Sequence, residues 1–326
     1  MSTSVASSPA AVSRPAPLLI GAALLALYLI WGSTYLATKT ALTAWPPMLL
    51  SAMRFLVAGT VQLAAVRLLG GAAWPSRQDW LRAAAVGGCL LLGGNGGTTF
   101  SQQYIPSGLA ALMVASVPMF LAVLGWLSGL APRPNWKVTL GLMLGVGGMY
   151  LLATARTSSA PVLHPGQPLL GVGIALAASF VWSAGSLLSK QKPIGGSPFL
   201  GVAMQMLCGG AMLLVGGLLR GEAAEFHFTG IGWQPWVAMA YLVVFGSWIA
   251  FSAYIWLLGV VEPALAGTYA FVNPVVAVLL GWAVAGEPLS AAMASGGALI
   301  VLAVMLVVLG GRRPAPVPAK AAAERV

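Results

Sequence analysis

The sequence predicts an all-α integral membrane protein of ten transmembrane helices, laid out as two inverted five-helix repeats. Three observations carry that prediction. The 326 residues are 59% hydrophobic and only 7% charged, whereas soluble domains average about 25% charged. Such a chain cannot cover itself with solvated side chains. Apolar stretches near the ~20 residues that cross a bilayer follow one another along it. And the chain repeats itself: LAALMVASVPMFLAVLGWLSGLAP at Leu109–Pro132 is answered 156 residues later by LAGTYAFVNPVVAVLLGWAVAGEP at Leu265–Pro288. Pro118 falls on Pro274, Gly125-Trp126 on Gly281-Trp282, and Pro132 on Pro288. A mid-segment proline and a Gly-Trp pair at fixed distances mark two copies of one unit.

In chain order, residues 1–17 are rich in Ser, Ala and Pro with one charge, Arg14, and read as disordered. The first span, Leu18–Thr38, is longer than a cleavable signal core and lacks a small-x-small site after it, so it reads as uncleaved. Pro47–Leu69 follows, and then Trp80–Thr99 with its GGNGG run, where small residues let helix backbones approach closely in lipid. Leu109–Gly129 carries Pro118, and Val138–Leu152, the short fifth span, extends at one end or the other. Residues 153–168, ATARTSSAPVLHPGQP, make the longest polar break between spans in the middle of the chain. The second set is Leu169–Ser189, Phe199–Leu219, Trp236–Leu258, Leu265–Ala285 and Ala291–Leu309. The first repeat is thus 18–155, a periplasmic linker 156–168, the second repeat 169–311 and a basic cytoplasmic tail 312–326.

The repeat holds elsewhere too. WGSTYLATK from Trp31 to Lys39 matches WSAGSLLSK from Trp182 to Lys190 at an offset of 151, which also relates Pro47 to Pro198 and Met53 to Met204. Five helices per half is an odd number, so the second half enters the membrane upside down, as in many secondary transporters. The basic residues agree. With the N-terminus inside, twelve of the sixteen Lys and Arg fall on the cytoplasmic side, three (Lys39, Arg156, Arg220) outside, and Arg54 within the second span.

The net charge of +10 is therefore read as topology-setting loop charge, not a nucleic-acid surface. Cys89 and Cys208 lie in apolar runs and pack as small hydrophobes. His164 and His227 lie in polar loops, too few for a histidine-box metal site, and no cofactor is implied. An intramembrane enzyme would need a buried His, an Asp pair or a Ser–Lys constellation, none of which the spans offer. A channel is disfavoured because internal inverted duplication suits alternating access. The partners implied are a small-molecule substrate and the lipid bilayer. Proton coupling and pairing into a homodimer stay open.

With these residues in place, the chain resembles the drug/metabolite transporter superfamily in its EamA branch. The resemblance rests on WGSTY at Trp31–Tyr35, the spacing from Trp45-Pro46-Pro47 to Arg54, Asn273-Pro274 in the ninth span and Gly286-Glu287-Pro288 at its end. It covers roughly residues 18–312 and implies an inner-membrane carrier with a central cavity, working as an exporter. The first half departs from it, with Leu130-Ala131-Pro132 where the second has Gly286-Glu287-Pro288.

Several polar and aromatic residues are candidates for that cavity. Asn95, Thr98, Thr99 and Gln102 stand at i, i+3, i+4 and i+7, one helix face that either lines a wet cavity or bonds neighbouring helices. Trp31, Thr34, Tyr35 and Thr38 share a face of the first span, answered by Trp182 and Ser186 in the sixth. The paired tryptophans suggest facing aromatic walls, with an interfacial belt as the alternative. Tyr269 and Asn273 sit beside Pro274, whose missing N–H frees a carbonyl at depth. Arg54 lies roughly 10 Å into its span and must snorkel or pair. None of the six acidic residues falls mid-span: Asp79, Glu222 and Glu225 are placed in loops, Glu262 before the ninth span, Glu287 after it and Glu324 in the tail. Export of lipophilic cations in exchange for protons normally needs a buried carboxylate. The solute class favoured is therefore neutral, zwitterionic or weakly anionic, such as amino acids. The alternative is proton-coupled multidrug efflux, with Glu262 or Glu287 as a proton site at the gate.

The charge distribution predicts that residue 160 faces the periplasm and residue 320 the cytoplasm. In a chain without Cys89 and Cys208, Ala160→Cys should react with an impermeant maleimide on intact cells and Lys320→Cys should not. Labelling of position 320 from outside would sink the inverted arrangement.

Overall fold

Proline sets where the helices begin. Pro17, Pro47, Pro168 and Pro198 each open a long helix, where the missing N–H would be unpaired anyway and φ is already helical. The first and third, and the second and fourth, are 151 residues apart, so the duplication is visible in the helix starts themselves. The computed structural model describes residues 16–70, 74–101, 104–105, 110, 113–155, 166–191, 194, 197–226, 230–285 and 290–310; the candidates Gln102 and Glu287 lie outside them. Every helix or strand assignment among the described residues is helical.

The elements run α1 (Pro17–Ala41), α2 (Pro47–Gly70), α3 (Arg77–Gly87), a π-helix π1 (Gly88–Gly96), α4 (Gly97–Ser101), α5 (Val117–Leu127), α6 (Trp136–Ala155), α7 (Pro168–Gln191), α8 (Pro198–Leu219) and the one-turn α9 (Glu222–Glu225). Then come α10 (Trp233–Tyr241), a second π-helix π2 (Leu242–Ile249), α11 (Ala250–Val260), α12 (Pro263–Ala266), α13 (Tyr269–Ala285) and α14 (Ala291–Gly310). Among the described residues, six helical stretches are long and apolar enough to cross a membrane: Pro17–Thr34, Pro47–Leu69, Pro168–Gln191, Pro198–Leu219, Trp233–Val260 and Ala291–Gly310. Leucines and methionines such as Leu68, Leu169, Leu219, Met143 and Met305 point outward, as a lipid-facing surface allows.

Packing mirrors the repeat. The pairs α2 with α8 and α6 with α14 each join equivalent helices of the two halves. Helix α1 packs on α13 and along α10, π2 and α11; its counterpart α7 packs on α5 and along α3, π1 and α4. Each half therefore lends its first helix to the other. The α6–α14 pair is held at backbone distance by small residues: a Cβ on Gly141 would stand 2.8 Å from the Ala303 carbonyl, and one on Gly148 2.8 Å from that of Gly296. Neither position admits a larger side chain without the helices parting.

Three details differ from the sequence reading. The third and eighth spans are not uniform α-helices; each contains a π-helical section at a corresponding place. The mid-span prolines do not act alike either. The fourth span breaks at residues 115–116, which puts Pro118 in the first turn of α5, while the ninth breaks at Gly267-Thr268 and Pro274 rides inside α13. Glu222, placed in a solvated loop, is instead 5% exposed. Its Oε2 accepts from the backbone N–H groups of Met48 and Leu49, both at 2.9 Å. A carboxylate from the second half thus caps the N-terminus of α2 in the first, where unpaired amides and the helix dipole favour negative charge.

That cap predicts a stability effect. Glu222→Ala should cost about 2 kcal/mol by orphaning two buried donors, and Glu222→Gln, which keeps an acceptor oxygen, should cost less. Thermal unfolding in detergent measures both, and an unchanged midpoint in the alanine variant would refute the capping role.

Candidate functional site

Four aromatic rings meet between the exchanged helices α1 and α7. Trp31 and Trp182 stand edge to face with centroids 6.0 Å apart. Tyr269 of α13 lies 4.6 Å from Trp31, and Tyr254 of α11 lies 5.4 Å from Trp31 and 5.7 Å from Trp182. Such edge-on and tilted contacts are each worth about 0.5–1.5 kcal/mol beyond burial. The polar edges are tied down as well. Trp31 Nε1 donates to the Gly246 carbonyl in π2 at 3.0 Å. Trp182 Nε1 donates to Tyr254 Oη at 3.1 Å, and Tyr254 Oη pairs with Ser186 Oγ at 2.7 Å.

The two tryptophans were expected to face each other as walls, and here they touch. Glycine is the reason. A Cβ on Gly94 of π1 would stand 2.7 Å from the Trp182 ring, and one on Gly246 of π2 would stand 3.0 Å from the Thr34 methyl. The first helix of each half is seated on a glycine of the other half's π-helix, which draws the rings together. Thr34 itself turns its hydroxyl back to the Trp31 carbonyl at 2.6 Å. Of Tyr35 only the helical backbone is described.

The polar stripe of the third span is also rearranged. Asn95 lies in π1, and its Oδ1 accepts from Ser51 Oγ of α2 at 3.4 Å. Thr98 and Thr99 donate their hydroxyls to the Gly94 and Asn95 carbonyls at 2.8 and 3.0 Å. Asn95 thus bonds a neighbouring helix, one of the two roles expected of this polar face, and the two threonines also bond back into their own helix. The wider i→i+5 turn of π1 changes the spacing on which that expectation rested.

Other polar groups were not singled out from sequence. Tyr28 Oη pairs with Thr268 Oγ1 at 2.5 Å, and Ser33 Oγ with Tyr241 Oη at 2.6 Å, each joining α1 to the second half. Tyr254 is fully buried. At the offset of 152 that carries Gly94-Asn95 onto Gly246-Ser247, it corresponds to Gln102, so extending the repeat into the eighth span would have found it. Among the described residues, five buried polar atoms lack hydrogen-bond partners: Trp45 Nε1, Arg54 Nε, Gln205 Oε1, Ser247 Oγ and Asn273 Oδ1. Half-buried Arg54 lays its guanidinium over the neighbouring Phe55 ring at 4.4 Å.

At the end of α7, Lys190 Nζ donates to the Val261 carbonyl at 3.0 Å. Glu262 beside it edges a recess of about 100 Å³ that includes Arg133 and Asn135. Burial pushes the Glu262 carboxyl above its usual range, and the Lys190 ammonium draws it part of the way back. Among the described residues, no group of three or more His, Cys, Asp or Glu side chains gathers to hold a metal.

Comparison with known proteins matches this architecture. The profile of the EamA-like transporter family fits residues 19–154 and again 169–309. An Escherichia coli K12 protein named an uncharacterized inner membrane transporter, YedA, is 39% identical over 88% of this chain and 90% of its own. YvbV of Bacillus subtilis, named an uncharacterized transporter, is 26% identical over 86% and 88%. PecM of Dickeya dadantii is 25% identical over 85% and 88%. One crystal structure superposes with a TM-score of 0.75 at 23% identity, covering 92% of this chain and 99% of that one, which establishes a shared fold.

The shift at Glu262 has a sign that can be tested. A raised carboxyl means that the native state binds the proton more tightly than the unfolded chain. Ionisation therefore lowers stability as pH rises through the usual carboxylate range, up to the native value. Glu262→Gln should be more stable than wild type at neutral pH, and the gap should close below about pH 4. Thermal unfolding across that range checks it; a gap that widens on acidification would contradict the assignment.

Proposed function

The chain belongs to the EamA-like transporter family, and from that premise we propose that it is a secondary transporter of the inner membrane with ten spans in two inverted five-helix repeats. Both termini lie in the cytoplasm. It exports small organic metabolites by alternating access along the interface of the two halves. The favoured solutes are neutral, zwitterionic or weakly anionic, such as amino acids. It is not an enzyme.

The observation that carries this reading is the aromatic cluster between α1 and α7. Trp31, Trp182, Tyr254 and Tyr269 come from both halves, and the first helix of each half leans on the π-helix of the other. A ring cluster shared this way closes a passage when the halves come together and opens it when they rock apart. Trp31, Thr34, Tyr35, Asn95, Thr98, Gln102, Trp182, Ser186, Tyr269 and Asn273 are assigned to the solute path on this reading. The π-helices support it, because irregular backbone at membrane depth is tolerated where it meets protein or lines a cavity, and π-bulges gather at functional sites. The solute class follows from charge. The described carboxylates lie at helix ends, with Asp79 and Glu222 capping helices and Glu262 beside Lys190, while the charge inside a helix body is the cation Arg54.

Proteoliposomes loaded with a neutral aromatic amino acid or with an ethidium-like cation test the reading. The amino acid should move, and Trp31→Ala should slow it at least about tenfold, since that ring makes three aromatic contacts. Trp74→Ala, whose exposed ring lies against the Arg67 guanidinium at 4.2 Å, should leave the rate alone. Robust proton-driven movement of the cation, lost in Glu262→Gln or Glu287→Gln, would replace this reading with multidrug efflux.

A further inference from the structure

Among the described residues, Arg54 is a half-buried cation whose Nε is buried without an acceptor, and its surroundings point outside the chain for a partner. Helix α2, which packs on the second half, carries two long polar side chains, Arg54 and Gln62. Gln62 is 2% exposed and fully engaged: its Nε2 donates to the Phe199 carbonyl at 2.8 Å and its Oε1 accepts from Ser252 Oγ at 3.1 Å. Folding has solved that position. Two turns earlier Arg54 has only the ring of Phe55 beneath it, and its Nε is buried without an acceptor. The described carboxylates are engaged elsewhere, Asp79 at Ser76, Glu222 at Met48 and Leu49, and Glu262 beside Lys190. A cation–π contact offsets part of the desolvation of a guanidinium but supplies no hydrogen-bond acceptor.

The same region holds further groups without partners. π2 packs directly on α2, and its Ser247 hydroxyl is wholly buried and unpaired. Gln205, the repeat counterpart of Arg54 at the offset of 151, is likewise buried with a free Oε1. Each unmet buried polar group weighs against folding. Equivalent places in the two repeats left unsatisfied by folding are places reserved for a visitor.

We propose that Arg54 is the anchor for a carboxylate on the transported solute, with the Ser247 hydroxyl as an adjoining donor. This rests on the transporter reading above and narrows its solutes to those bearing a free carboxylate. A single guanidinium presents a planar fork that matches one carboxylate. A phosphate dianion would call for more positive charge, and the nearest other cation in α2, Arg67, lies in its last turn, over three turns away. The anchor takes up the carboxylate when the interface of α2 and π2 opens, and the Phe55 ring holds the guanidinium in place when the site is empty.

The test compares solutes before it compares proteins. Wild-type proteoliposomes are given matched pairs, each an amino acid and its carboxamide, with side chains from small to aromatic. The acid should be moved at least about tenfold faster than its amide, because a site built to bond a group rejects the analogue that lacks it. Arg54→Gln should bring the acid down to the level of the amide, and Arg54→Lys should fall between, keeping the charge but not the fork. Competition supplies a second readout: free amino acids, but not their amides, should raise the unfolding temperature of wild type and not of Arg54→Gln. Equal transport of acid and amide by wild type overturns the anchor and leaves the transporter reading standing, and needs no variant to fold. Acid preference that survives in Arg54→Gln also overturns it and assigns Arg54 a structural or water-filled role. A wild type that moves no member of the panel overturns both.

Discussion

In the core of a bilayer every backbone N–H and C=O must find its partner inside the protein. Most of this chain complies by remaining α-helical. The informative places are those where the regular ladder loosens: π1, π2, and the breaks at residues 115–116 and 267–268. Each lies against an element of the other half or at a junction between halves. The Gly246 carbonyl is met by the indole of Trp31, from more than two hundred residues earlier in the chain. The interface is therefore a working part of each half's backbone chemistry and not merely a surface where two finished units touch.

The architecture was legible because its rules are local. Proline opens helices, glycine permits close approach, and a tryptophan eight residues before a lysine is a pattern that can be matched to itself. Those signals located the repeat, the helix starts and four residues that converge, Trp31, Trp182, Ser186 and Tyr269. The π-helices were not legible. Gly88–Gly96 is largely glycine and leucine, Leu242–Ile249 is bulky and aromatic, and nothing in common composition announces an i→i+5 turn. Its effect is to change the spacing between Asn95 and the threonines Thr98 and Thr99 that follow it. Glu222 was misread for another reason: its partners lie 174 and 173 residues away, and no local pattern records them. Gln205, Ser247 and Tyr254 were within reach, since the repeat carries each onto a residue already of interest.

Charge is distributed to match. The described carboxylates are placed where a helix end or a lysine can use them, and the helix bodies are left to hydroxyls, amides and rings. Arg54 stands apart as a cation over an aromatic ring. Its counterpart is a neutral glutamine, and Asn95 is answered by Ser247. Duplication supplied two equal halves, and substitution at these few places made them chemically unequal while leaving the packing of α2 on α8 intact.

The capping of α2 by Glu222 also bears on biosynthesis. Helix α2 leaves the ribosome long before its cap exists, and at about 5–20 residues per second the carboxylate follows roughly ten to thirty-five seconds later. Throughout that interval the amides of Met48 and Leu49 depend on water or lipid headgroups, and α1 waits for π2 and α13. The first half is inserted early but completed late, so a nascent chain stalled or cut at the middle of the message leaves a set of helices in the bilayer with their ends unsatisfied, a form that quality-control proteases are suited to recognise.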